Sequence, residues 1–208
     1  MNSKIHTEVV PATEPVDRFT HLAQRINDAW LKVCLRRDVM GRCQSKALKL
    51  LRLGVSMLGD PLVRHDFHGG KLAMACSHNL PYYLKLAPGL MLNNQRIIGV
   101  IRDKYPQMTA IDVGANLGDS TLLFQHAGPV PTLCIEPDDK FRRYLEINTR
   151  PLGDLVEIDP SMVGERPLEI CGRIENQKGT ARLVVDDSTA TTIQLRPLPD
   201  ILKKSPSL

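Results

Sequence analysis

The stretch IDVGANLGD, residues 111–119, is the most informative part of this chain of 208 residues. An apolar strand ends in Asp112, a loop with two glycines follows, and a helix begins at Gly118. Gly114 has no Cβ, so its backbone can approach a ligand closely, and the free N–H groups at the start of the helix face the same region. Ligands of open α/β sheets bind outside the carboxyl ends of the strands, so the stretch predicts a binding site.

The segment around this stretch alternates short apolar runs with amphipathic runs. We predict strands over residues 109–113, 132–135 and 155–158, separated by helices over 118–126 and 138–149. Such alternation predicts a parallel sheet with right-handed crossovers, and therefore an α/β fold. After Gly164 the pattern becomes that of hairpins, with candidate strands over 168–174, 181–185 and 191–195 and turns at Gly179 and at 186–187.

The chain before this segment has a different character. Residues 1–15 contain two prolines and no periodicity, so we expect a loose arm there. A helix capped by Asp17 and broken at Gly41 is followed by a second helix that ends at 59–61. Short strands around a turn at 69–70 and a helix over 84–105, broken at 88–89, complete the prediction. We therefore divide the chain into a basic helical extension (1–60), a lead-in segment (61–108) and a ligand-binding domain (109–208).

Composition excludes several classes of protein. The chain is 42% hydrophobic and 24% charged, which excludes a disordered tail, a collagen-like chain and a disulfide-dense miniprotein. No apolar run approaches the roughly eighteen residues of a membrane-spanning helix, and the first ten residues lack the apolar core of a secretory signal. The five cysteines are scattered and form no C-x-x-C pair, so we expect reduced thiols and a cytoplasmic location.

Charge is distributed unevenly along the chain. Residues 17–52 hold nine Lys/Arg against three Asp, a net of +6, whereas residues 109–208 hold eleven Lys/Arg against fifteen Asp/Glu, a net of −4. The basic part could contact nucleic acid, an anionic membrane or an acidic partner, or could be a solvated helix face. Trp30 is the one aromatic residue within 25–52, too few for a stacking platform, so nucleic acid is not an expected partner.

Glu136 suggests which ligand the predicted site holds. It follows the second strand, 24 residues after Asp112, and a carboxylate there can accept both hydroxyls of a ribose, as the acid about 20 residues after a dinucleotide-binding fingerprint does. The glycines follow the spacing G-x-x-x-G, whereas the tight pyrophosphate turn of NAD-binding proteins uses G-x-G-x-x-G. The wider spacing favours a nucleoside without phosphates, S-adenosylmethionine, over NAD.

The run AIDVGANLGDST (110–121) followed by CIEPDDKFRRYLEIN (134–148) resembles the FkbM-type family of S-adenosylmethionine-dependent O-methyltransferases. Phe141, Leu145 and Asn148 occupy the family's helix positions, and the resemblance covers about residues 70–208. It implies a Rossmann-like class I methyltransferase sheet behind an α-helical N-terminal extension. The implied reaction is methyl transfer to a hydroxyl of a small-molecule acceptor, a sugar or a polyketide-like compound.

The resemblance also implies a set of cofactor-binding residues on the glycine loop and after the second and third strands: Asp112, Gly114, Asn116, Gly118, Asp119, Glu136, Pro137, Asp138 and Met162. The loop residues would hold the amino-acid end of the cofactor, and Glu136 the ribose. Pro137 and Asp138 would flank the adenine, and Met162 would meet its edge. No residue is identified as the catalytic base, and the spacing of His65, His68, Cys76 and His78 matches no standard zinc site, so no metal is expected.

The end of the chain departs from the family pattern. Residues 196–202 resemble the segment before the family's fourth strand, and the sequence stops at Leu208. We therefore expect a sheet that is incomplete at its C-terminus, with an open edge through which the chain self-associates. Activity of this chain is left open, as are two alternatives: a fragment of an NAD(P)-dependent oxidoreductase, and a non-enzymatic binding module acting through its basic helices.

Overall fold

The computed structural model describes residues 17–177, 179–186, 188 and 192–205. The helices are α1 Arg18–Val33, α2 Val39–Met57, α3 Leu80–Leu86, α4 Pro88–Lys104, α5 Asp119–His126, α6 Asp139–Thr149 and α7 Leu198–Leu202, with a 3₁₀ segment over Arg150–Leu155. The strands are β1 Leu62–Phe67, β2 Gly70–Ala75, β3 Ala110–Val113, β4 Thr132–Ile135, β5 Val156–Asp159, β6 Met162–Val163, β7 Leu168–Gln177, β8 Thr180–Val185 and β9 Thr192–Arg196. None of the helices within these residues is both long and apolar enough to span a bilayer.

A parallel sheet lies at the centre of the chain. Its three strands are in the order β3-β4-β5, with Ile111 opposite Leu133 and Cys134 opposite Ile158. Every residue of the central strand β4 is buried, which explains why its sequence, TLCI, reads as a short run without polar alternation. The predicted α/β chain with a parallel sheet is confirmed at this level.

A second sheet follows, with four strands in the order β6-β9-β7-β8. β7 is antiparallel to both β8 and β9, while β6 runs parallel to β9. The hairpin of β7 and β8 confirms the change of pattern predicted after Gly164, and Gly179 at its tip has a φ of +105°. The predicted arm over 1–15 and the residues Asp187 and Thr191 lie outside the described residues.

The β1–β2 hairpin closes through a two-residue turn. His68 and Gly69 have φ values of +47° and +84°, and Phe67 pairs with Gly70. Two successive positive φ angles are typical of the type I′ turn, whose twist matches that of the flanking strands. The turn therefore lies one residue before the predicted Gly69–Gly70 pair, and Gly70 already belongs to β2.

The boundary between the first two helices differs from the prediction. Asp17 caps α1 as expected, accepting a hydrogen bond from the Thr20 N–H at 2.6 Å. The break predicted at Gly41 is wrong, because α1 ends at Val33 and Gly41 lies in the first turn of α2. Asp38 is the N-cap of α2, and its carboxylate accepts from the Gly41 N–H at 3.0 Å. The capping acid, rather than the glycine, marks where one helix gives way to the next.

One hydrophobic core joins the three segments distinguished in the sequence. It takes buried side chains from α1, α2, the β1–β2 hairpin, α4, the glycine loop, α5 and α6: Ala23, Val55, Val63, Phe67, Leu72, Met74, Ile98, Leu117, Leu123, Phe141, Tyr144 and Ile147. Gln24 fixes α1 to β1, since its side chain donates to the Arg64 carbonyl at 2.9 Å and accepts from the Arg64 N–H at 2.7 Å. The first basic helix thus packs on the hairpin.

Candidate functional site

The candidate site lies where β3 and β4 end, and we call residues 112–119 and 136–138 the strand-end site. The loop after β3 curls over the end of β4, because the Gly114 and Ala115 N–H groups both donate to the Ile135 carbonyl, at 2.8 and 3.2 Å. Asn116, with a φ of +50°, is the non-glycine residue of the loop in the left-handed region. The sequence therefore predicted the position of this loop correctly.

Gly118 is a glycine for reasons of packing as well as conformation. Its φ is +82°, and a Cβ at this position would lie 2.7 Å from Leu145 Cδ1 and 3.3 Å from Thr149 Cγ2. The start of α5 thus packs directly on α6, and any side chain at position 118 would push the two helices apart. The two helices that flank the strand-end site are held in contact by this residue.

Glu136 joins the ends of three strands. The residue is 4% exposed, and its carboxylate accepts from the Asn116 N–H at 2.8 Å and from the Asp138 N–H at 2.9 Å. Its own N–H donates to the Asp159 carbonyl at the end of β5, at 3.0 Å. Burial raises the pKa of Glu136, against the lowering effect of the two amide donors. Each carboxylate oxygen keeps a second lone pair with which to accept a ligand hydroxyl.

Asp112 and Asp119 form an acidic pair beside the loop. Asp112 accepts from the Thr121 hydroxyl at 2.9 Å, and burial raises the pKa of its carboxyl group. Burial also raises the pKa of Asp119 to about 6, and the negative charge of Asp112 adds to this shift. Within the described part of the chain neither carboxylate forms a salt bridge. A cation placed next to them would favour the ionised form of both.

Other predicted site residues have roles in the fold itself. Asp138 is the N-cap of α6, accepting from the Phe141 N–H at 2.9 Å. Pro137 is half-buried between Glu136 and this cap. Met162 begins β6, three residues after the end of β5, and lies opposite Leu195 of β9. The predicted adenine-binding roles of Pro137, Asp138 and Met162 stay predictions.

Asn148 anchors the glycine loop to the β1–β2 hairpin, a role that the sequence does not reveal. Its side-chain oxygen accepts from the Ala73 N–H at 2.7 Å. Its amide nitrogen donates to the Ala73 carbonyl at 2.9 Å and to the Leu117 carbonyl at 2.8 Å. The resemblance to a family in the sequence singled out Asn148 as a helix position, but only the fold shows that it binds β2 and the loop together.

The tip of the β7–β8 hairpin contacts the strand-end site. The Asn116 amide donates to the Gly179 carbonyl at 2.8 Å. A Cβ on Gly179 would lie 2.6 Å from His78 Nε2, so the tip, Asn116 and His78 pack closely. Burial lowers the pKa of His78 to about 4, so its ring is neutral at pH 7. Asn116, which the sequence predicts as a ligand residue, therefore holds the tip of the β7–β8 hairpin in place.

The three histidines and the cysteine whose spacing was compared with zinc sites belong to different structural elements. His65 is on β1, His68 is in the hairpin turn, and Cys76 and His78 are buried after β2. Among the residues that the structure describes, no group of three or more His, Cys, Asp or Glu side chains is placed to hold a metal ion.

A scan of protein-family models and searches of curated proteins and of solved structures found no match to this chain. We therefore infer function from the sequence motifs and from the strand-end site: the loop, the acidic pair and the buried Glu136 lie at the carboxyl ends of neighbouring parallel strands.

Proposed function

We propose that this chain is an S-adenosylmethionine-dependent methyltransferase of the FkbM type, with the cofactor bound in the strand-end site. The observation that carries the proposal is the pairing of an acidic pair, Asp112 and Asp119, with Glu136 at adjacent ends of parallel strands. The acceptor we propose is a hydroxyl of a sugar or polyketide-like small molecule. This part rests on the sequence resemblance.

The chemistry of the residues suits this cofactor. S-adenosylmethionine carries an ammonium group and a sulfonium, and a cation next to Asp112 and Asp119 would stabilise the ionised forms of two carboxyl groups whose pKa values burial raises. Glu136 is held by two backbone amides, which fixes its direction, and its remaining lone pairs suit the two ribose hydroxyls. We propose that these three carboxylates orient the two ends of the cofactor.

The same carboxylates disfavour the dinucleotide alternative. The pyrophosphate of NAD brings two negative charges to the loop after the first strand, where Asp112 and Asp119 already repel one another. A cofactor that is cationic at this place is attracted by the two carboxylates, whereas a pyrophosphate is repelled by them. When bound, S-adenosylmethionine supplies the methyl group for a hydroxyl oxygen, and the contribution of this chain is to hold donor and acceptor in line.

Calorimetric titration with S-adenosylhomocysteine tests the proposal, since this compound keeps the ammonium and the ribose. We expect saturable binding by the native chain and at least about tenfold weaker binding by Asp112→Asn and by Glu136→Gln, the cost of one charge-assisted contact. Glu146→Gln is the matched control, because Glu146 is an exposed carboxylate on α6 outside the strand-end site. Its affinity should equal that of the native chain.

Parallel titration with NAD separates the alternatives. Binding of NAD without binding of S-adenosylhomocysteine would contradict the proposal and favour the oxidoreductase. Equal loss of binding in Glu146→Gln would show that the variants act through net charge or folding rather than through the site. Binding of neither compound would also contradict the proposal, and would favour a binding module that acts through the basic helices.

A further inference from the structure

A cavity of about 700 Å³ lies between α1, α2 and the start of α3. It is separate from the strand-end site and takes its lining from helices that the proposed function does not use. Its principal side chains are Trp30 of α1, Lys46, Lys49 and Arg52 of α2, and Asn79 and Tyr82 near the start of α3.

Arg52 is a buried cation in the wall of this cavity. The residue is 6% exposed, and its guanidinium lies 4.4 Å from the centre of the Trp30 ring. One terminal nitrogen donates to the His78 carbonyl at 2.6 Å, while Nε is buried and has no hydrogen-bond partner among the residues that the structure describes. Within the described residues no carboxylate forms a salt bridge with Arg52. The charge of Asp60 acts favourably on Arg52, but that carboxylate forms its salt bridge with Lys140. A buried cation without a direct ion pair is costly, so this position favours an anion.

The other charges of the cavity have the same sign. Lys46, Lys49 and Arg52 are spaced three residues apart, so they project from neighbouring positions on one side of α2. Among the described residues, the cavity lining contains no Asp or Glu, and the sequence of α2 from Val39 to Met57 contains none either. Two exposed lysines and one buried guanidinium line the same cavity, so they can act together on a single oxyanion.

Apolar and aromatic side chains also line the cavity, beside a few serines and Asn79. The Trp30 and Tyr82 rings stack with their centres 5.8 Å apart, and Leu50 and Leu53 line the same cavity with more than half of their surface exposed. Flat apolar walls next to clustered cations fit a molecule that has an aromatic or apolar body and one anionic end.

We propose that this cavity is a second ligand site, which binds a small molecule carrying a phosphate or a carboxylate on an aromatic or apolar body. The proposal does not rest on the function of the strand-end site, since it uses none of its residues. It also assigns a role to part of the basic charge of residues 17–52, namely Lys46, Lys49 and Arg52 of α2, which line the cavity.

Trp30 gives a direct readout, because it is the only tryptophan of the chain. Its fluorescence is followed during titration with phenyl phosphate and with benzoate, and with inorganic phosphate and phenol as the separate halves of the ligand. We expect a saturable change with at least one aromatic anion, and at least about tenfold weaker binding of either half. The tighter of the two aromatic anions identifies the preferred oxyanion. No saturable change with either, or an equal response to phenol, would overturn the proposal.

Substitutions of the exposed lysines that line the cavity test whether the ligand binds there. Lys46 and Lys49 are exposed, so Lys46→Gln and Lys49→Gln should fold normally and each weaken binding several-fold. Arg42→Gln removes the same charge from an exposed position of the same helix outside the lining, and should leave affinity unchanged. Equal weakening by all three variants would indicate general charge attraction and would overturn the assignment to this cavity.

Discussion

Asp119 is the residue at which stability and the proposed ligand binding oppose each other. Burial beside Asp112 raises its pKa to about 6 from an ordinary value of 3.8. The folded chain therefore binds this proton more tightly than the unfolded chain does. The ionised carboxylate destabilises the fold above about pH 6, and this penalty disappears as the pH falls below about 4. A bound cation would remove the penalty at neutral pH.

Replacing Asp119 separates its effect on stability from its effect on ligand binding. We expect Asp119→Asn to raise the free energy of unfolding by about 2–3 kcal/mol at pH 7.5, the equivalent of a pKa shift of about two units, and to weaken binding of S-adenosylhomocysteine. Urea unfolding at about pH 7.5 and about pH 4 measures the stability, and the gain should vanish at the lower pH. Asp154→Asn, at an exposed position, is the control. A variant that is less stable at pH 7.5, or that binds undiminished, would contradict the role of Asp119.

Some residue roles follow from local sequence and others do not. The cap at Asp17 and the position of Glu136 after a strand are predictable, because each depends on neighbours a few residues away. Asn148 binds Ala73 across 75 positions, and Asn116 binds Gly179 across 63. No periodicity reports contacts of this separation, so both became visible only in the fold.

At the scale of elements, agreement with the sequence depended on length and burial. β4 was predicted over its full range because an apolar run without alternation stands between Pro131 and Pro137. β6, with two residues, and α7, with five, are too short to carry a period and were not predicted. α7 nevertheless matters, since its Ile201 packs on Leu133 and Ile135 of β4.

The cover that α7 provides does not extend to β3. Ile111 and Val113 lie opposite Leu133 and Ile135 in the sheet, yet they are 40% and 54% exposed. Among the described strands β3 pairs only with β4, so it forms an edge of the sheet with apolar side chains beside it. An exposed edge of this kind favours pairing with another chain.

We expect the chain to self-associate through β3. Sedimentation over a range of concentrations should show a monomer converting to larger species, and Ile111→Lys should shift this equilibrium towards the monomer by placing a charge at the edge. Val185→Lys is the matched control, because Val185 is an exposed apolar residue on β8, at the edge of the other sheet. A native chain that stays monomeric, or an equal effect of both lysines, would contradict an interface at β3.

At the scale of the whole molecule, the two proposed sites take ligands of opposite charge. The acidic pair lies in the acidic half of the sequence and suits a cation, whereas the cavity with Arg52 lies in the basic half and suits an anion. His78 lies between them, because its carbonyl accepts from Arg52 while its ring packs against Gly179 beside the loop. The uneven charge is visible in the sequence, whereas the acidic pair at the strand ends and the cations that line a cavity become visible only in the fold.

The proposed binding of S-adenosylhomocysteine at the strand-end site can be followed at individual residues in the backbone amide NMR spectrum during a titration. We expect saturable shifts of the amide signals of Gly114, Asn116, Gly118 and Glu136, with the signals of α2 unchanged. An unchanged spectrum, or shifts confined to α2 and the cavity around Arg52, would contradict it.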